Sequence, residues 1–241
     1  MISQLAESAA FFTSQGRGQV WPGQGLSEYY CEFSPKHYHD QLFGQYQVHC
    51  PPDMLRAVDK RKAGYLAGRY CAREALEAFE LTHFVILNAP DRSPIWPNGL
   101  LGSISHSEDH AIAVIGDDRY LVGLGTDIEP IIGDDAMRET QSQVLNPEEL
   151  HLLECSGLSR RQLFTVLFSV KESFFKAAYR LVRGFFGFDA VSIQALDHGK
   201  GEVTFCLNET LHERLRQGDE LPGRFKMLRA DTIATLVSLS R

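Results

Sequence analysis

Residues 160–182, RRQLFTVLFSVKESFFKAAYRLV, carry the strongest helix signal in the chain, and that helix is apolar on nearly every side. Leu163, Leu167, Val170, Phe174, Ala178 and Leu181 recur at i, i+3/i+4 spacing and form one stripe. The opposite side holds Phe168, Phe175 and Tyr179 among its polar residues. Such a helix is stable in water only when other layers cover it from both sides. Glu172 and Lys176, four residues apart on the less apolar side, would on an open surface make a salt bridge of about 0.2–0.5 kcal/mol. Enclosed, an acid needs a partner, so this helix is a place to look for chemistry.

A second acidic feature precedes it. The apolar run YLVGLGTDIEP reads as a strand ending at Pro130, and in a strand Asp127 and Glu129 project from the same face. Paired carboxylates repel unless a cation neutralises them. Hard oxygen donors in small number suit Mg²⁺, which keeps waters and shares its shell with phosphates. Taken alone, a D-x-E pair fits a solvated loop entry better than a metal site.

Around these two elements the chain reads as a mixture of helices and strands, an α+β fold. Residues 1–53 are rich in aromatics and turn formers and read as short strands and loops. From Met54 to Phe79 good helix formers dominate, with Gly64 and Gly68 either weakening the helix or marking close packing. Arg69 and Arg73 fall on the stripe of Val58, Leu66 and Leu76, where a partner must hold them. APDRSPIWPNG (89–99) is a loop whose Trp96 plugs onto the body. LLGSISHSEDH reads as a serine-rich loop and AIAVIGDD as a strand. Residues 131–159 read as polar and irregular, with a helix start at Asn146-Pro147. AVSIQA, EVTFCL and TIATLVSLS read as strands. The order suggests two halves, 1–120 and 121–241.

The 241 residues suffice for a core without staples, since a chain of this length buries roughly 70% or more of its extended surface. Five cysteines, odd in number and without a CxxC pair, fit a reducing cytoplasm. A net charge of −7 argues against a general nucleic-acid binder, although six basic residues gather between Arg56 and Arg73. No apolar run approaches the ~20 residues that span a bilayer. The opening MISQLAESAAFFTSQGRGQ lacks a basic start followed by a sustained apolar stretch, so no secretion signal is expected.

Gly125-Thr126-Asp127-Ile128-Glu129 and Phe168-Ser169-Val170-Lys171-Glu172-Ser173-Phe174-Phe175-Lys176-Ala177 resemble the two signature motifs of the 4'-phosphopantetheinyl transferases, GxDxE and (F/W)SxKEx3KA. Ser103-Ile104-Ser105-His106-Ser107, Arg92-Ser93-Pro94-Ile95-Trp96-Pro97 and Lys60 to Arg69 resemble three further family elements. The five run in family order from about residue 54 to 190 and are similar to the larger, monomeric type, nearest the branch that contains the enterobactin synthase component. Gly64 stands where relatives often have an acid, and Thr126 replaces the usual aliphatic residue.

The resemblance implies an α+β fold of two similarly built halves with the active site between them. It also implies an enzyme that moves the phosphopantetheine arm of coenzyme A onto a serine of an apo acyl or peptidyl carrier protein, releasing 3',5'-ADP. Asp127, Glu129 and Glu172 would hold Mg²⁺, or Mn²⁺, against the coenzyme's pyrophosphate. Lys176 would neutralise a phosphate oxygen, and Glu172 or a metal-held water would take the serine proton. Arg61, Arg69, Arg92, Ser105 and His106 would bind the coenzyme, including its 3'-phosphate, with arginine's fork suited to that group. The rival readings are a non-catalytic module that binds coenzyme A or a carrier protein, and a Mg²⁺-dependent phosphohydrolase. The second explains the acids but not their co-occurrence with the Ser-His segment, the arginine loop and Lys176.

Overall fold

The computed structural model describes residues 10–152 and 156–241 and has a layered α+β architecture. Strands β1 (Phe12–Arg17), β2 (Ser27–Phe33), β3 (Leu100–His106) and β4 (His110–Asp117) form one antiparallel sheet in the order β1-β2-β4-β3. The second sheet contains β5 (Leu121–Pro130), β6 (Val191–Asp197), β7 (Glu202–Leu207), β8 (Glu220–Arg229) and β9 (Thr232–Ser240) in the order β5-β9-β8-β7-β6, again antiparallel. A single turn α1 (Leu42–Gln45) precedes the first long helix, α2 (Asp59–Leu76); α3 (Asp134–Val144) and α4 (Arg160–Val182) lie between β5 and β6.

Strand alternation sorts the side chains into layers. Ala111, Ala113 and Ile115 of β4 face α2, whose Ala67, Cys71 and Ala75 are fully buried. Ile112 and Val114, on the other face of β4, meet Leu124, Ile128, Ala234 and Leu236 of the second sheet. The far face of that sheet packs Phe225, Ile233 and Val237 beneath Leu167, Val170 and Phe174 of α4. The order is therefore helix, sheet, sheet, helix.

Helix α4 spans the expected residues. Ser159 caps it by accepting from the Gln162 N–H at 3.3 Å, while the Gln162 side chain accepts from the Ser159 N–H at 3.0 Å. It ends at Arg183, which is left-handed with φ 51°. The helix expected over 54–79 is shorter: α2 starts at Asp59 after the extended Val58, with 3-10 turns at Met54–Arg56 and Glu77–Phe79.

Three expectations need correction. Residues 103–106 of SISHS are strand rather than loop, because Ser103 and Ser105 point inward and are satisfied there, whereas Ser107 lies past the strand with its buried Oγ unpartnered. Residues 134–144, read as irregular, form α3, which buries only Met137 and Val144 and so offers few apolar positions from which to read a helix. Strand β8 escaped notice because Pro222 and Gly223 interrupt it. Of the five cysteines, Cys31, Cys50, Cys71 and Cys206 are free thiols, and Cys155 lies outside the described residues. No described helix is long and apolar enough to cross a membrane.

Candidate active site

The site forms where the free edges of the two sheets meet. An edge strand leaves alternate backbone N–H groups without partners. On β5 two of these are satisfied by serines two apart on β3: Ser103 Oγ accepts from the Thr126 N–H at 3.0 Å, and Ser105 Oγ from the Ile128 N–H at 3.3 Å. The serine spacing matches the strand period, and it brings Ser105 and His106 beside Asp127.

Helix α4 approaches β5 so closely that side chains do not fit between them. A Cβ on Gly125 would lie 1.9 Å from the Ser173 carbonyl oxygen, and one on Gly123 would lie 2.2 Å from that of Ala177. The glycine of the GTDIE segment is thus required by backbone contact. That contact delivers Ser169, Ser173 and Lys176 to the strand that carries Asp127.

Asp127, 3% exposed, is held from three directions. Lys176 Nζ donates to Oδ1 at 2.7 Å, Ser105 Oγ to Oδ1 at 2.8 Å and Ser169 Oγ to Oδ2 at 2.8 Å. Lys176 also donates to Ser105 Oγ at 3.2 Å and to the Thr126 carbonyl at 3.1 Å. Glu129 and Glu172 are half-buried beside this pair. Burial, followed by the charge of Asp127, pushes the Glu129 carboxyl up to about 8, with Lys176 opposing and Glu172 adding to the rise. Glu172 is also raised, by burial first and by Asp127 as well, against the pull of Lys176.

Three acids therefore share one ammonium, an excess of negative charge that favours a cation. Among the described residues no three acidic, histidine or cysteine side chains converge in a ready-made metal cluster. The positive charge at Asp127 is that of Lys176. In donor chemistry the acids fit a small divalent ion, with hard oxygens only and room for water and phosphate ligands.

The His106 ring lies against Gly64 of α2, where a Cβ would come within 2.6 Å of Nδ1. Desolvation in that crowd pushes its pKa down; Lys176 and Arg61 act in the same direction, Ser107 and Asp127 oppose, and the residue keeps an exposed edge. The departure at Gly64 thus has a steric reason. Arg61 is exposed on the first turn of α2, close enough for its charge to act on His106. Arg69 is buried elsewhere: its Nη2 donates to Asn88 Oδ1, its guanidinium stands 5.2 Å from the Tyr65 ring centroid, and its Nη1 has no partner. It lines a cavity of about 190 Å³ with His49, Arg73 and His83, which includes none of the three acids. Arg92 is exposed at a turn with φ 69°, in a loop that Tyr179 fastens to α4 through Asp91 at 2.8 Å. Trp96 covers Gly102 of β3.

Thus Ser105, His106, Asp127, Glu129, Glu172 and Lys176 come together, Arg61 is nearby, and Arg69 and Arg92 occupy separate places. Sequence reasoning missed Ser169, Ser173 and Thr235, buried hydroxyls behind Asp127. The signal was available, because Ser169 and Ser173 share a helix face with Lys176.

Residues 52–116 match the 4'-phosphopantetheinyl transferase N-terminal domain, residues 123–228 match the 4'-phosphopantetheinyl transferase superfamily, and the chain belongs to that family. Its members use coenzyme A as substrate and act on carrier proteins. The chain is 30% identical over 207 residues to enterobactin synthase component D of Escherichia coli K12, covering 80% of this chain and 92% of the relative. It is 37% identical over 163 residues to component D of Salmonella typhi, covering 67% of this chain and 64% of that protein. It is 28% identical over 142 residues to the 4'-phosphopantetheinyl transferase PptT of Mycobacterium tuberculosis, covering 59% and 62%. The matched stretch thus spans less than two thirds of the Salmonella and Mycobacterium proteins and nearly all of the E. coli one.

Proposed function

We propose that this chain transfers the 4'-phosphopantetheine group of coenzyme A to a serine hydroxyl of an apo carrier protein and releases 3',5'-ADP. The observation that carries the reading is the cluster of Asp127, Glu129, Glu172 and Lys176 at the meeting of the two sheet edges, in a chain that belongs to this family. Asp127, Glu129 and Glu172 would hold Mg²⁺ or Mn²⁺. The ion would supply charge to the phosphate oxygens on which negative charge gathers during transfer. Lys176, now paired with Asp127, would hold a phosphate oxygen. Glu172 would accept the serine proton as the hydroxyl oxygen attacks the β-phosphorus. Ser105 and His106 face the pyrophosphate, and Arg61 extends the basic surface along α2. Arg69, which lines a cavity with Arg73, His49 and His83 and has a buried Nη1 without a partner, is suited to the 3'-phosphate.

The names of the E. coli and Salmonella relatives support a carrier of siderophore synthesis as the acceptor. A fatty-acid or polyketide carrier offers the same serine chemistry. We place the protein in the cytoplasm as a monomer acting on neither membrane nor nucleic acid. The net charge of −7 and the free thiols support that setting.

Intact-mass analysis of an apo carrier, incubated with the protein, coenzyme A and Mg²⁺, tests the reading. We expect a gain of roughly 340 Da that EDTA abolishes. Carrier modification that persists undiminished without any divalent metal would overturn the mechanism, and a carrier left unmodified in Mg²⁺ would overturn the activity.

A further inference from the structure

Behind Asp127, away from the cleft, three hydroxyl side chains are fully buried in an otherwise apolar contact: Ser169 and Ser173 on α4 and Thr235 on β9. Ser173 Oγ lies 2.7 Å from Thr235 Oγ1, which lies 2.8 Å from Ser169 Oγ, which lies 2.8 Å from Asp127 Oδ2. Thr235 is the residue paired with Asp127 across the two strands, and it lies beyond the segment matched by the superfamily.

The direction of the protons follows from one end. A carboxylate paired with Lys176 only accepts, so Ser169 donates to Asp127 and has no proton left for Thr235. Thr235 therefore donates toward Ser169, to its Oγ or to its backbone carbonyl at 2.8 Å. That leaves Ser173 as the donor to Thr235. When Thr235 donates to Ser169 Oγ, every proton in the chain runs toward Asp127, and each bond polarises the next in favour of the carboxylate's charge. Packing alone does not call for this arrangement, since alanine and valine would fill the same contact without burying polar atoms.

We propose that Thr235 is a positioning residue. Through Ser169 it fixes the rotation of the Asp127 carboxylate, so that one Oδ2 lone pair faces the cleft as a ligand for the divalent cation. With three of about four acceptor positions taken by Ser105, Lys176 and Ser169, the orientation of the last decides whether Asp127 ligates. The inference rests on the reading of Asp127 as a cation ligand.

The test compares wild type, Thr235→Val, Thr235→Ser and Asp127→Asn by the electron paramagnetic resonance signal of free Mn²⁺, titrated into metal-free protein in the presence of coenzyme A. Thr235→Val should weaken Mn²⁺ binding by about tenfold, the lower end for a lost outer hydrogen bond at a metal site. Its carrier modification rate should recover as Mn²⁺ is raised. Thr235→Ser, which keeps the hydroxyl, should bind as wild type does. Ser173→Ala, which removes only the far end of the chain, should show a smaller loss and serves if the valine variant does not fold. Equal affinities for wild type and Thr235→Val, or equal losses for the valine and serine variants, would overturn the proposal. Mn²⁺ affinity unchanged by Asp127→Asn would instead remove the ligand reading, and the positioning role with it.

Discussion

Two lysines of one helical segment, Lys171 and Lys176, make ion pairs of opposite character. Lys171 Nζ lies 2.9 Å from Glu149 Oε1, with side chains 1% and 0% exposed, and also donates to the Val144 carbonyl at 2.7 Å. Glu149 accepts in turn from the Ile193 and Asn146 N–H groups, each at 2.8 Å. Every lone pair and proton there has a destination within the protein, and the pair ties α3, α4 and β6 together. Lys176 lies 2.7 Å from Asp127 Oδ1 but is 27% exposed, and two further acids beside it lack an ammonium of their own. A completed pair stabilises the fold, whereas a pair with unmatched charge at a cleft can exchange partners. The helix presents the first toward α3 and β6 and the second toward β3 and β5, the side on which we propose the chemistry.

The sharpest way to break this contrast is to remove one member of the completed pair. Lys171→Ala or Glu149→Ala leaves an uncompensated buried charge and should cost about 3–5 kcal/mol in urea unfolding. Lys171→Met with Glu149→Gln removes both charges while retaining an acceptor, and should recover much of the loss. On the chemical side, Asp127→Ala and Glu172→Ala should each lower turnover at least ~100-fold, or about 2.7 kcal/mol, with the far-ultraviolet dichroism unchanged. Glu129→Ala should lose less, because water replaces one ligand in a Mg²⁺ shell.

Smaller effects sharpen the boundary of the cleft. His106→Ala, and separately Arg61→Ala, Arg69→Ala and Arg92→Ala, can be assayed with coenzyme A and with 3'-dephospho-coenzyme A. A variant that has lost a grip on the 3'-phosphate should lose roughly ten- to a hundredfold in kcat/KM with the first substrate and little with the second. We expect that pattern for Arg69 and equal losses on both substrates for His106, which we place against the pyrophosphate. The smallest effect is one of pH. Glu129 has its folded pKa raised from 4.5 to about 8, so between those values the folded state binds more protons than the unfolded one. Its contribution to stability is fully present below pH 4.5 and is lost as pH rises through about 8. Metal-free protein should accordingly show a falling unfolding midpoint across that window, flattened in Glu129→Gln and relieved by Mg²⁺.

The two sides of the helix were not equally legible in the sequence. Asp127, Glu129, Glu172 and Lys176 were readable because strand and helix periods fix which residues share a face. The completed pair was not, because Glu149 lies in the 131–159 region, whose polar sequence gives no periodic signal. Ser103 and Ser105 misled for a related reason: serines read as loop formers, yet here they satisfy the N–H groups of a neighbouring edge strand. Thr235 sits in an apolar run, TIATLVSLS, where a single hydroxyl looks like ordinary strand composition. Its role emerges only when β9 is placed beside β5.

The most direct measurement compares carrier modification rates of Lys176→Ala and of the Lys171→Met, Glu149→Gln double variant, each under conditions where it is folded. If chemistry runs on the cleft side of α4, Lys176→Ala should be slowed by at least ~100-fold and the double variant should stay within about tenfold of wild type. A fully active Lys176→Ala, or a folded double variant that is the slower of the two, would contradict the account.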